Sequence, residues 1–150
     1  MTSIFSKLNL KDQKEILVLN TPESFNSELA ALAGVTITRN ARETKNISFA
    51  LVFVTKQKEV VATAKAIGNK MEGDAILWFA YPKGTSKKYK CDFNRDSGWD
   101  VLGEAGFERV RQVAIDEDWS ALRFRRVEFI KTMKRRKVFA ITKLGKAKTT

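Results

Sequence analysis

A loop near the middle of the chain, residues 81–90, carries the side chains best suited to binding or chemistry. Its four lysines, two hydroxyl residues and two tyrosines form the sequence Tyr81-Pro82-Lys83-Gly84-Thr85-Ser86-Lys87-Lys88-Tyr89-Lys90. Ammonium groups and hydroxyls bind phosphate or carboxylate groups, and Gly84 lets the backbone turn close to a bound molecule. We therefore predict a site for an anionic ligand at Tyr81, Lys83, Ser86 and Lys88. The alternative is a solvated loop whose lysines keep the protein soluble.

Four residues further along the chain complete the predicted ligand site: Arg95, Trp119, Arg123 and Arg125. Arg123 and Arg125 alternate with apolar residues, so both should lie on the polar face of a strand. There they would clamp a phosphate or pair with the acidic turn 116–118. Trp119 would either pack on the end of the sheet or offer a stacking surface to an aromatic ligand. The sequence leaves both pairs of alternatives open.

Several classes of catalytic and cofactor site are excluded by composition and spacing. The chain has no histidine, so it cannot form a Ser-His-Asp or Cys-His arrangement, and transition-metal sites would lack their commonest ligand. It has no G-x-x-x-x-G-K-[ST] loop, and no G-x-G-x-x-G follows the first apolar run. We predict no metal and no cofactor, and the sequence assigns no catalytic residue.

Positive charge is concentrated at the end of the chain. Residues 121–150 carry eleven Lys or Arg and one acid, Glu128, whereas residues 1–120 carry seventeen bases and sixteen acids. Lysine-rich segments bind phosphate backbones without reading base sequence. A basic C-terminal extension, residues 131–150, is therefore predicted to bind nucleic acid through Lys134, Arg135, Arg136 and Lys137. A purely solubilising tail is the alternative.

Hydrophobic periodicity predicts the elements that would position these residues. Three apolar runs, at residues 15–20, 49–54 and 75–80, are typical of strands buried on both faces. Amphipathic stretches that predict helices follow the first two runs, and Val35–Arg39 alternates like an edge strand. The second helix pattern includes Met71. This alternation predicts an α/β fold, a three-layer sandwich with a mostly parallel sheet of about five or six strands.

The second half of the predicted domain ends in an antiparallel hairpin. A third short helix should end near Gly106, and strand-like runs follow at 107–115 and 122–129, with a slip near Arg126 that suggests a bulge. Residues 1–130 are predicted to form a single α/β domain with Trp78 and Trp99 in its core. Ligands of open α/β sheets bind beyond the carboxyl ends of the parallel strands, which here are Asn20-Thr21, Thr55 to Lys58 and the loop after Tyr81.

The chain also resembles a family of small bacterial α/β proteins known only as a domain of unknown function. The resemblance covers roughly residues 12–127 and is most distinctive from Asp116 to Phe124. It is carried by Asn20 and Pro22, Leu77-Trp78, Tyr81-Pro82-Lys83-Gly84, Ser86, Asp92, Arg95-Asp96, Val113-Ala114-Ile115-Asp116 and Trp119-Ser120-Ala121-Leu122-Arg123-Phe124. That family has no assigned activity, so the resemblance implies no catalytic residue.

These observations favour a small noncatalytic module that binds an anionic small molecule or nucleic acid. One alternative is an enzyme acting on a phosphorylated or carboxylated small molecule, with Lys83 or Tyr81 as the reactive group and Arg95 or Arg123 holding the anion. Another is a protein-interaction module that pairs through its edge strand. The lone Cys91, the lack of a secretory signal and the absence of an apolar run near ~20 residues favour a cytoplasmic protein without a membrane span.

Overall fold

The computed structural model describes residues 4–11, 13–93 and 98–130, without the side chain of Glu72. Its strands are β1 (Glu15–Leu19), β2 (Thr36–Thr38), β3 (Ile47–Phe53), β4 (Met71–Pro82), β5 (Phe107–Ala114) and β6 (Trp119–Arg126). Its helices are α1 (Ile4–Lys7), α2 (Asn26–Ala30), α3 (Gln57–Ile67) and α4 (Asp100–Glu104), with 3₁₀ turns at Glu23–Phe25, Ala41–Glu43 and Val127–Phe129. Arg95 and the predicted basic extension lie outside the described residues.

The strands form one sheet in the order β2-β1-β3-β4-β6-β5. The first four strands in that order are parallel, whereas β6 runs antiparallel to both β4 and β5. The predicted α/β class, with a mostly parallel sheet and a terminal antiparallel hairpin, is therefore confirmed. The predicted edge strand is β2, which lies at one border of the sheet.

Apolar residues cover both faces of the sheet. One cluster packs β-strand side chains against α3 and α4 and contains Trp99, which is 1% exposed. The other packs the opposite face against α1 and α2 and contains the fully buried Trp78. The two helical layers and the sheet form the predicted three layers, and both tryptophans occupy the predicted core.

A column of aromatic rings runs through the second of these clusters, from α1 to the loop after β4. Phe5 lies 5.7 Å from Phe25, which lies 4.9 Å from Phe53. Phe53 in turn lies 5.1 Å from Trp119, whose ring is 4.9 Å from that of Tyr89. We call these five residues the aromatic column. It connects the amino-terminal helix with the carboxyl edge of the sheet.

Several details of the elements differ from the sequence predictions. Met71 does not continue α3, because the chain turns at Gly68–Lys70 and Met71 pairs with Ile47 at the start of β4. The last strand ends at Arg126 instead of continuing to 129, because residues 127–129 form a 3₁₀ turn. The irregularity of the hairpin falls in β5, between Arg109 and Arg111. A helix of at least 18 residues with the hydropathy of a membrane span is not found in the described part of the chain.

The short helix α1, which the sequence analysis did not predict, is held to the sheet by one buried hydrogen bond. Trp78 Nε1 donates to the Leu8 carbonyl oxygen at 2.8 Å, and the Leu8 side chain is fully buried. A four-residue helix cannot persist alone, because nucleating a helix costs more free energy than the hydrogen bonds of a single turn supply. The position of α1 therefore depends on this bond and on the packing of Ile4 and Phe5.

We expect Trp78→Phe to lower the free energy of unfolding by about 1–3 kcal/mol, because it leaves the Leu8 carbonyl buried without its donor. It should also accelerate hydrogen exchange at the amides of Leu8 and Leu10 before the sheet opens. Urea titration and native-state hydrogen exchange would measure both effects. Phe79→Leu, a core truncation on the opposite face, is the control and should destabilise the fold without freeing α1 selectively. Equal protection of α1 in both variants would contradict the anchoring role.

Candidate functional site

The carboxyl ends of the parallel strands meet at one edge of the sheet, which we call the rim. Leu19 pairs with Val52, Phe53 pairs with Ala80, and Val54 N donates to the Ala80 oxygen at 2.8 Å. The segments after β1, β3 and β4 therefore open on the same side. Asn20, immediately after β1, has a left-handed φ of 59°, which asparagine tolerates better than most residues. The rim is the position at which open α/β sheets bind ligands.

Residues 83–93, which we call the rim loop, are anchored at both ends. At the start, Lys83 N donates to the Asp118 carbonyl oxygen at 2.8 Å. At the end, Asp92 N donates to the Thr55 carbonyl oxygen at 3.2 Å, and Gln57 N donates to Asp92 Oδ1 at 2.8 Å. The loop therefore spans the rim from the β5–β6 turn to the start of α3.

Ser86, a predicted ligand residue, and the acidic turn 116–118, a predicted partner of the arginines, both form hydrogen bonds within the rim. Ser86 Oγ donates to Asp118 Oδ1 at 2.8 Å and accepts from the Tyr89 amide at 3.1 Å. Asp116 Oδ1 accepts from the amides of Asp118 and Trp119, both at 2.8 Å. The acidic turn 116–118 is thus held by hydrogen bonds within the rim. Ser86 shapes the rim loop.

The largest of the rim cavities described here lies beside Tyr81, on the face covered by α3 and α4. It has a volume of about 600 Å³, within the range of about 300–1,000 Å³ typical of small-molecule sites. We call it the Tyr81 pocket; its lining residues are Tyr81, Lys83, Gly84, Thr85, Gln112, Ala114 and Ser120. Two predicted ligand residues, Tyr81 and Lys83, line it together.

Three side chains of the Tyr81 pocket form a hydrogen-bonded set. Gln112 Nε2 donates to Tyr81 Oη at 3.0 Å and to Ser120 Oγ at 3.0 Å. Strand pairing explains this proximity, because Ser120 faces Tyr81 across β4–β6 and Ala114 across β5–β6. Tyr81 is 5% exposed, so its hydroxyl is held in position while its ring packs in the core. The arrangement fixes a phenol in the wall of the cavity.

A second cavity of about 350 Å³ lies under the rim loop and shares Tyr81 and Lys83 with the first. Ser86, Tyr89 and the half-buried Cys91 also line it. Burial raises the pKa of the Cys91 thiol, the backbone hydrogen bond with Phe93 opposes this effect, and the negative charges of Asp92 and Glu59 add to it. Cys91 is therefore a poor nucleophile at neutral pH, because the thiolate is the reactive form.

A third cavity, of about 210 Å³, lies between the ends of β1 and β3 and the aromatic column. We call it the Trp119 pocket; the described residues that line it are Asn20, Pro22, Phe53, Thr55, Glu59, Tyr89 and Trp119. Trp119 is 3% exposed, which settles its alternatives in favour of packing on the end of the sheet. Its Nε1 has no hydrogen-bond partner among the described residues.

Arg123, Arg125 and Lys88 do not line these pockets. Arg125 forms a bidentate pair with Asp74, with Nε and Nη2 donating at 2.8 and 2.7 Å, instead of pairing with the acidic turn. Arg123 faces Trp78 across β4–β6, four positions from the rim, and burial lowers the pKa of its guanidinium, with Arg125 adding to the effect. Lys88 is exposed, and its Nζ lies 5.5 Å from the Tyr89 ring centroid.

Fold and rim together define an α/β protein with cavities at the carboxyl edge of its sheet. No protein-family model matches the chain, and no curated protein does at a significant level. The resemblance to the domain of unknown function therefore stays a prediction.

Solved structures with a similar fold include methyltransferases. One is a SAM-dependent methyltransferase from Aquifex aeolicus, with a TM-score of 0.54 and 13% identity over 82% of this chain and 87% of that chain. Another is the magnesium protoporphyrin IX methyltransferase from Synechocystis PCC 6803 with bound SAH. It has a TM-score of 0.52 and 12% identity over 82% of this chain and 78% of that chain. The pyocyanin biosynthetic protein PhzM matches with a TM-score of 0.53 and 12% identity over 83% of this chain and 54% of that chain. At these identities the likeness is one of fold.

The structural comparison corrects the main functional prediction. A noncatalytic module for an anionic ligand or nucleic acid is wrong, because solved structures with a similar fold are methyltransferases, which are enzymes. The geometry gives a physical reason as well. Arg123 and Arg125 lie on the face of the sheet opposite Tyr81, and Ser86 Oγ is already bonded to Asp118. The enzyme alternative is favoured, although Arg123 cannot hold a ligand beside Tyr81.

Sequence reasoning missed Gln112 and Ser120, which line the Tyr81 pocket, and Glu59, which lines the Trp119 pocket. Gln112 and Ser120 look like ordinary polar positions of a half-exposed hairpin, and only the register of β4, β5 and β6 brings them to Tyr81. Glu59 could have been found, since it lies three residues after Lys56 at a helix start. Its Oε1 accepts from the Thr55 and Lys56 amides at 2.8 and 3.0 Å, which caps α3.

We expect Cys91 to react slowly with iodoacetamide, because its raised pKa leaves less thiolate at a given pH than in an exposed cysteine. The alkylation rate should rise with pH and reach half its maximum above the pH found for a cysteine peptide. Mass spectrometry of the intact protein from pH 7 to pH 10 would give this profile. The urea-unfolded chain is the control. A folded-state midpoint at or below that of the unfolded chain would contradict the effect of burial.

Proposed function

We propose that the protein is an enzyme that acts on a small molecule bound in the Tyr81 pocket. The observation that carries the proposal is the hydrogen-bonded set Tyr81–Gln112–Ser120 inside a cavity of about 600 Å³. A phenol fixed by a neighbouring amide can transfer a proton to or from a bound molecule. The fold shared with small-molecule enzymes supports the same reading.

The chain's own residues would have separate tasks in this reaction. Tyr81 would exchange a proton with the substrate at Oη, while Gln112 holds the phenol at 3.0 Å. Ser120 Oγ would orient the substrate from the adjacent strand. Lys83, whose amide is fixed to Asp118, would stabilise negative charge that develops during the reaction. The loop segment Lys83–Thr85 borders the cavity.

A SAM-type cofactor, which the structural neighbours use, does not fit the described residues after β1. That segment reads Asn20-Thr21-Pro22, so it has no glycine that would let the backbone approach a nucleoside, and Pro22 has no N–H to donate. Thr21 Oγ1 already accepts from Arg39 Nη2, and Arg39 stands at the end of β2 where a carboxylate would bind ribose hydroxyls. The adjacent cavity of about 210 Å³ is also small for such a ligand. We derive no step that involves this cofactor.

A ligand screen would test the proposal. We expect small metabolites that raise the melting temperature of the wild-type protein to lose this effect in Tyr81→Phe, which removes only the hydroxyl. Tyr89→Phe removes the chain's other phenol, outside the Tyr81 pocket, and should keep the effect. Ligands that stabilise the wild type and Tyr81→Phe equally would contradict the site.

The reaction itself is tested by following each stabilising ligand by mass spectrometry in the presence of the protein. We expect chemical conversion by the wild type and a rate roughly 10²–10⁴-fold lower with Tyr81→Phe, the usual effect of losing a general acid or base. Gln112→Leu should give an intermediate loss. Unchanged recovery of all ligands would contradict an enzyme. Stabilisation by SAM or SAH would overturn the conclusion about the cofactor.

A further inference from the structure

Two cavities of the rim share a wall that is formed by Tyr81, Lys83 and Gly84. The Tyr81 pocket has a volume of about 600 Å³, and the cavity under the rim loop, which we call the loop cavity, has a volume of about 350 Å³. Both volumes lie within the range typical of small-molecule sites. The proposed function uses the first cavity and leaves the second without a role.

The shared wall contains a tight turn, residues 83–86, that is fixed to Asp118 at both ends. Ser86 N donates to the Lys83 carbonyl oxygen at 3.0 Å and closes the turn. Lys83 N donates to the Asp118 carbonyl oxygen, and Ser86 Oγ donates to Asp118 Oδ1, each at 2.8 Å. These bonds hold Gly84, inside the turn, at a defined position in the wall of both cavities.

Gly84 leaves open space in this shared wall. The glycines Gly34, Gly73, Gly98 and Gly106 have a left-handed φ, which favours glycine, whereas the φ of Gly84 lies outside that range. A Cβ atom at Gly84 would meet no heavy atom within 4 Å. Neither the backbone conformation nor close packing therefore requires a glycine here. A larger side chain would extend into unoccupied space beside the two cavities that Gly84 lines.

The two cavities differ in the chemistry of their linings. The loop cavity is lined by the aromatic residues Tyr81, Tyr89 and Phe93, which suit an apolar ring because rings favour offset and edge-to-face contacts. The Tyr81 pocket adds the hydrogen-bonding side chains of Gln112 and Ser120. A ligand that fills both cavities therefore needs an apolar ring at one end and polar groups at the other.

We propose that the two cavities form one elongated site that is continuous past Gly84. The substrate is then a molecule of two parts, with a polar ring in the Tyr81 pocket and an apolar aromatic ring in the loop cavity. This inference rests on the proposed function of the Tyr81 pocket and adds the class of substrate. A molecule that joins both parts binds more tightly than either half, because the second part binds without a further loss of translational freedom.

Alkylation of Cys91 tests the proposal with 4-hydroxybenzanilide as the two-ring probe. Cys91 is the chain's single cysteine, and it lines the loop cavity but not the Tyr81 pocket. At ten times its dissociation constant, the probe should slow alkylation of the wild type by iodoacetamide about tenfold. Mass spectrometry of the intact protein measures the rate. The polar half alone, 4-hydroxybenzamide, should leave the rate within about twofold at its own saturating concentration.

Gly84→Leu provides an independent test, because leucine should occupy the space beside the shared wall. Calorimetric titration should show binding of 4-hydroxybenzanilide weakened about tenfold. The melting temperature should change by about 2 °C or less, since a Cβ atom has no neighbour to displace. Lys87→Leu, in the same loop but lining neither cavity, is the matched control and should bind the probe like the wild type. The alkylation of the wild type decides even if Gly84→Leu fails to fold.

The outcomes separate this proposal from the proposed function. Equal alkylation rates with and without 4-hydroxybenzanilide overturn the two-part site, even where the probe stabilises the protein through the Tyr81 pocket. Unchanged binding of the probe to Gly84→Leu overturns the connection past Gly84. Failure of the proposed function has a different signature. The probe would then protect Cys91 in the wild type and in Tyr81→Phe alike, and it would be recovered chemically unchanged.

Discussion

The pairing of β6 along β4 is the constraint on which the described rim depends. Six consecutive residue pairs, from Leu77–Phe124 to Pro82–Trp119, lock the last strand against the sheet's longest one. A slip by one residue would exchange every side chain between the two faces. Ser120 would then leave Tyr81, and Trp119 would leave Phe53. The register of one antiparallel pair thus creates both pockets, one on each face.

Most of the parallel part of the fold follows from local sequence. The apolar runs of β1, β3 and β4 are long enough to require burial on both faces, and a helix pattern of 3.6-residue period follows β3. The fold class and the common edge of the three strands could therefore be predicted. The helix α1 could not, because four residues carry too little periodicity. Its position is set by a tryptophan seventy residues away.

The candidate sites were only partly predictable for a similar reason. Tyr81 and Lys83 belong to a segment whose composition already predicts a ligand site, and both line a cavity. Gln112 acts on Tyr81 across 31 residues of sequence, and Ser86 is engaged by Asp118 across 32. Such contacts depend on strand order and register, which no local pattern contains. Composition consequently overvalued the charges of Arg123 and Arg125, which lie on the face of the sheet opposite Tyr81, and undervalued the amide side chain of Gln112.

The aromatic column gives the amino-terminal segment an influence that its distance from the rim would not suggest. Close-packed interiors pass a displacement from one ring to the next, because few voids exist to absorb it. Phe5 stands at one end of this series of contacts and Tyr89 at the other. Altering the volume of a side chain in α1 would therefore retune the cavity beside Trp119 without touching any residue that lines it. Sequence drift in this short amino-terminal helix becomes a route by which the shape of that cavity can diverge.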